Sequence, residues 1–124
     1  MRITVEKRRT WVPDGEEFKA VPEDERPRFT FDKPLAYRRD SWTKVVARRD
    51  AAGTISSYTE RDMRRIILDS NVTVENLTVV EDGKEKEIRT GADLLEARSD
   101  VCSALATFLV FQIIREDYRA ELPN

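Results

Sequence analysis

The chain has 124 residues, 37% of them charged, and 22 Lys and Arg nearly cancel 24 Asp and Glu to leave a net charge of −2. That length predicts a single domain, 1–124, with a modest core, and that balance excludes a general attraction to nucleic acid or to an anionic membrane. There is no histidine and only one cysteine, Cys102, which removes the commonest base near neutral pH, the commonest transition-metal ligand and any internal disulfide.

Residues 2–12, RITVEKRRTWV, begin with alternation at Ile3 and Val5 and predict an N-terminal strand. Residues 13–27, PDGEEFKAVPEDERP, combine three prolines with a run of acids and predict an extended loop or arm. Phe18 and Val21 are the side chains that tack it to a surface. In RFTFDKPL, Phe29 and Phe31 alternate with Thr30 and Asp32, a short strand closed before Pro34.

Two patterns compete over residues 35–58. Helical spacing joins Tyr37 or Arg38 to Trp42, Val45, Val46 and Arg49, with Asp40 or Ser41 as N-cap. Strand spacing joins Trp42, Lys44 and Val46, with residues 50–53 turning into residues 54–58. The absence of a clean apolar face on the alternating pattern favours the helix.

TERDMRRIILDS, residues 59–70, predicts a helix capped by Thr59, with Met63, Ile66, Ile67 and Ser70 on one face and Asn71 ending it in a left-handed conformation. Asp82-Gly83 then predicts a two-residue hairpin turn that pairs Glu81 with Lys84, Val79 with Lys86 and Leu77 with Ile88. Val72 and Val74 have the opposite parity to Leu77 and Val79, which requires a bulge or bend near Glu75 and Asn76. Thr90 opens T-G-A-D, the cap of a short helix through Leu94 and Leu95. A long helix follows from Ser99 or Asp100 to about Tyr118. The expected class is α+β: N-terminal short strands and a Pro-rich arm, a central helix, a β-hairpin and a long apolar C-terminal helix.

Residues 101–114, VCSALATFLVFQII, place apolar side chains in nearly every direction around a helix axis. Such a helix has to be enclosed, either by its own domain or by a second chain. Fourteen helical residues reach roughly 21 Å, short of a hydrocarbon core of about 30 Å. Charged residues near Met1, namely Arg2, Glu6, Lys7, Arg8 and Arg9, leave no room for the apolar region of a signal peptide. The expectation is a soluble, intracellular protein without membrane contact.

No residue reads as catalytic. Asp14, Glu16 and Glu17, like Glu23, Asp24 and Glu25, lack the spacing of a calcium loop and read as a solvated acidic loop. Glycines at 15, 53, 83 and 91 are too scattered for a phosphate or dinucleotide loop. Cys102 reads as a small buried hydrophobe. No metal and no cofactor are expected. Lys7, Arg8 and Arg9 before Trp11, and Arg38, Arg39, Lys44, Arg48 and Arg49 around Trp42, are the residue types that contact phosphates and stack on bases. Interspersed Glu6, Asp40 and Asp50, and the fitness of both tryptophans as core anchors, make nucleic acid the least favoured partner.

From FTFDKPL through TERDMRRIILDS to NVTVENLTVVEDGKEKEIRTGADLLEARSDVCSALATFLVFQII, over residues 29–118, the chain resembles small morphogenesis proteins of tailed bacteriophages, tail assembly chaperones in particular. The likeness is one of element order: a helix, an extended segment with a D-G turn, a short Leu-Leu helix and a terminal apolar helix. It implies a non-enzymatic role in the host cytoplasm, holding a tape-measure or tail-tube protein ready for assembly. Phage structural proteins, or further copies of the chain, are then the partners. The apolar side chains offered for contact are Leu105, Phe108, Leu109, Phe111, Ile113 and Ile114. The Pro-rich acidic stretch and the dense arginines depart from this outline and fit a virion component equally well: a connector, tail terminator or capsid-associated subunit. A small nucleic-acid-binding regulator is the third reading.

Overall fold

A computed structural model describes residues 1–123, and it is mixed α and β. In chain order come β1 (Arg8–Trp11), β2 (Arg28–Asp32), α1 (Ala36–Ser41), β3 (Thr43–Arg49), β4 (Ile55–Arg61) and α2 (Met63–Asp69). β5 (Thr73–Glu75), β6 (Thr78–Glu81), β7 (Lys84–Glu87), α3 (Gly91–Glu96) and α4 (Asp100–Ile114) follow. The strands form an antiparallel sheet in the order β1-β2-β5 and two separate hairpins, β3-β4 and β6-β7.

The period-2 pattern of β2 puts Phe29 and Phe31 on one side of the central strand, where both are buried. Trp11 and Val74 lie opposite Phe29 in the flanking strands, and the Trp11 ring stacks on Phe29 with centroids 5.3 Å apart. α4 lies across β2, and α2 and α3 pack on α4 and on each other. Ile66, Ile67, Leu94, Leu105, Leu109, Val110 and Ile113 complete one contiguous core.

Local signals are met where turn and cap chemistry is strong. Asn71 is left-handed at φ 48°, and its side chain donates to Asp32 at 2.7 Å. Asp82 and Gly83 turn β6 into β7 with Glu81 opposite Lys84 and Val79 opposite Lys86, and the Ile88 amide donates to the Leu77 carbonyl. The required bend is at Asn76, φ 61°, where the chain leaves the three-stranded sheet for the hairpin. Thr90 and Asp93 cap α3 reciprocally. The amide of Arg89 first, and then that of Thr90, hold the Asp93 carboxyl below the usual carboxylate range, against an opposing push from burial.

Gly91 sits where this cap meets the core. Its amide donates to the Val72 carbonyl, and a Cβ there meets Ile67 Cγ2 at 2.6 Å and Val72 Cβ at 3.2 Å. Gly91→Ala is expected to lower stability by about 1–3 kcal/mol, because two core residues must move apart. Thermal unfolding followed by circular dichroism checks this, and an unchanged midpoint contradicts it.

Four expectations are corrected. The favoured helix over residues 35–53 is instead a single short helix, α1, followed by the β3-β4 hairpin. β-Branched Val45 and Val46 oppose helix formation there. The reversal is built by Asp50, whose carboxylate accepts from the amides of Ala52 and Thr54, and by Gly53 at φ +83°. As a consequence Thr59 and Glu60 belong to β4, and α2 starts at Met63 with Asp62, not Thr59, accepting from the Arg65 amide. α4 stops at Ile114 rather than near Tyr118, because Arg115 turns extended and residues 118–121 form a separate 3-10 turn. The first strand is only Arg8–Trp11, with Ile3 and Val5 exposed before it.

The Pro-rich stretch 13–27 is a loop with two 3-10 turns, Glu16–Phe18 and Glu23–Glu25, and it is tied down along its length. Arg26 donates to the carbonyls of Val21 and Pro13, and Asn76 donates to that of Asp24. Phe18 packs at the margin of the core.

Candidate interaction surfaces

α4 is enclosed on one side only. Cys102, Leu105, Ala106, Leu109, Val110 and Ile113 point inward, while Val101, Ala104, Phe108 and Phe111 share the outer side. Of the six side chains singled out from the sequence, Leu105, Leu109 and Ile113 are therefore spent within the chain's own core, and Ile114 is half-buried against it. Phe108 and Phe111 remain 52% and 51% exposed. The uniformly apolar sequence thus hides a two-sided helix.

Beside Phe108 the loop 13–18 leaves a cleft of about 180 Å³. Leu105 is among its lining residues, with Phe18 and Phe108; Asp14 and Glu17 supply its only charged groups among the described residues. It continues toward Val101 and Ala104, again with Glu17 as the one charged group.

A larger cleft, about 360 Å³, lies beyond the C-terminal end of α4. Arg9 donates there to the Arg115 carbonyl at 3.2 Å, placing a cation at the negative end of the helix. Burial, then Arg115 and Arg39, lower the Arg9 pKa. Burial, then Arg9 and Arg39, lower that of Lys33. Lys33 pairs with Glu121, and Arg39 lies 3.7 Å from Glu116. These groups hold the segment after α4 onto the body. Among the described residues no cluster of His, Cys, Asp and Glu could hold a metal ion. Cys102 is buried.

The second open surface is the β3-β4 hairpin, the less favoured of the two patterns that the sequence allows there. No residue of either seven-residue strand is buried, and only Val46 and Glu60 are half-covered. Its register fixes two faces. Lys44, Val46, Arg48, Ser56, Tyr58 and Glu60 form one, with Arg48 over the Tyr58 ring at 5.2 Å. The other carries Val45, 74% exposed, and Ile55, 62% exposed, with Ala47, Arg49 and Arg61 and no acid. The signals for it were the Asp50 and Gly53 turn chemistry and the symmetric placement of seven residues on either side.

At the root of the hairpin Trp42 is buried, its indole Nε1 donates to Asp69 at 3.0 Å, and its carbonyl accepts from the Asp62 amide. Trp11 is stacked on Phe29. Both tryptophans are therefore structural anchors, and neither ring is presented on the basic hairpin for stacking a base.

Among the described residues no helix is long and apolar enough to cross a membrane. Comparison with known proteins finds no matching family model, no similar curated protein and no similar solved structure.

Proposed function

We propose that the chain is a non-enzymatic assembly protein acting through protein–protein contacts, of the kind used in tailed-phage tail morphogenesis. The observation that carries this reading is the outer side of α4. Three large apolar residues, Val101, Phe108 and Phe111, stay outside a core that already has ample cover. Grouped apolar exposure of this kind is a feature of surfaces that bind other proteins. Phage structural proteins and the chain itself are the partners.

The projecting hairpin favours a second reading within the same class, a virion structural subunit such as a connector, tail terminator or capsid-associated protein. A two-stranded arm with no buried residue along its length suits a lasting contact with a neighbouring subunit. The first reading places the chain in the host cytoplasm during assembly, and the second places it in the finished virion.

The test is co-expression with the products of the neighbouring genes, followed by affinity purification. Native chain is expected to retain at least one of them, and Phe108→Asp with Phe111→Asp to lose it. Retention of none, or undiminished binding by the double variant, overturns the proposal. Mass spectrometry of purified particles separates the two readings: a chaperone is absent and a structural subunit is present.

A further inference from the structure

We propose that the open face of the β3-β4 hairpin of one copy docks on the cleft beside Phe108 and Phe18 of a second copy of this chain. The inference rests on the assembly reading and names the partner at that surface. The two surfaces match in kind. The hairpin face presents Val45, Ala47 and Ile55 between Arg49 and Arg61, without a carboxylate. Phe18, Leu105 and Phe108 give the cleft its apolar lining, with Asp14 and Glu17 at its edge and no cation among the described lining residues. The surrounding loop, 13–27, holds six acids against Lys19 and Arg26, a net −4 from 2 − 6. The hairpin, 43–61, holds Lys44, Arg48, Arg49 and Arg61 against Asp50 and Glu60, a net +2 from 4 − 2. Apolar centres with opposite charges at their margins fix both the register and the partner of a contact.

The match is not made within one molecule. α1, at the hairpin's root, is tied by Arg39 to Glu116, beyond the C-terminal end of α4, whereas the cleft runs along α4 from Val101 to Gln112. Val101 and Ile114 are about 20 Å apart along the axis at 1.5 Å per residue. Val45, Ile55 and Phe108 all remain exposed in the single chain. The pairing therefore runs from one copy to the next. Because the two patches differ, each copy keeps a free arm or a free cleft after one contact, and the association is head-to-tail, closing into a ring or extending.

Sedimentation of the purified full-length chain at about 100 µM tests this, a concentration at which a contact with Kd near 10 µM is mostly formed. Native chain is expected to associate. Arg49→Glu with Arg61→Glu, on exposed positions that leave the circular dichroism spectrum unchanged, is expected to weaken association about 100-fold through like-charge contact. Adding Asp14→Arg and Glu17→Arg to that same chain is expected to restore it. A monomeric native chain, association indifferent to the arm reversal, or no recovery in the four-fold variant overturns the proposal. So does a native monomer that binds duplex DNA through Arg49 and Arg61, with affinity falling steeply in salt. A native monomer that still co-purifies with a neighbouring gene product overturns self-docking alone and leaves the assembly reading in place.

Discussion

Leu109→Asp is expected to unfold the chain, while Phe108→Asp, one residue earlier, leaves it folded. Leu109 is completely buried on the inner side of α4, and Phe108 lies on the outer side. Removing the Leu109 side chain alone costs about 3–5 kcal/mol by transfer and cavity. A carboxylate without a partner in that space adds further to the loss. A domain of this size holds about 5–15 kcal/mol in total, so little stability remains. Phe108→Asp forfeits only part of the burial of one aromatic ring, on the order of 1 kcal/mol. Far-UV circular dichroism and amide chemical-shift dispersion distinguish the two. A folded Leu109→Asp chain, or an unfolded Phe108→Asp chain, would contradict the assignment of inner and outer sides. This separation matters for function because loss of partner binding by Phe108→Asp then reports on a surface rather than on the fold.

Trp42→Ala carries the second large effect, a loss of about 3–5 kcal/mol. The indole is buried where α1, the start of β3 and the end of α2 meet, and its hydrogen bond to Asp69 joins the hairpin root to the body. Trp42→Phe keeps most of the packing and removes the N–H donor. Asp69 retains Arg38 and Arg65 at 3.6 and 3.5 Å, so this change is expected to cost only about 1 kcal/mol. Urea denaturation followed by circular dichroism gives the two values. In Trp42→Phe, amide exchange in β3 and β4 is expected to quicken more than exchange in β2, because the lost bond anchors the hairpin alone. Equal protection changes in both would mean that Trp42 is a general core residue and not the arm's anchor.

The distinction between arm and core also bears on assembly. An arm that is open along its length contributes little to the stability of the single chain, so its sequence is free to answer to a partner. Arg49 and Arg61 make no ion pair there among the described residues, whereas Lys44 on the other face lies 3.5 Å from Glu60. The face without an acid is also the one with the more exposed aliphatic groups. The cleft on α4 has the opposite character, with Asp14 and Glu17 beside the apolar lining.

Much of the local architecture was legible in the residues themselves. Phe29 and Phe31 marked β2 because a two-residue period has only one interpretation when one side is buried. Asp82-Gly83, Asn71, Thr90 with Asp93, and Ser99 marked a turn, a left-handed stop and two caps, because each satisfies its own backbone within a few residues. The mixed α+β class followed from these. Tertiary structure decided what such short-range chemistry leaves open. Residues 43–61 fit a helical or an alternating pattern, and pairing of Val45 with Thr59 and Val46 with Tyr58 selected the hairpin. α4 looked equally apolar all round, and only the placement of β2, α2 and α3 determined that Leu105, Leu109 and Ile113 face inward while Phe108 and Phe111 do not. Hydrophobicity is a property of a side chain, but burial is a property of what lies across from it, and that is supplied by residues far away in the chain.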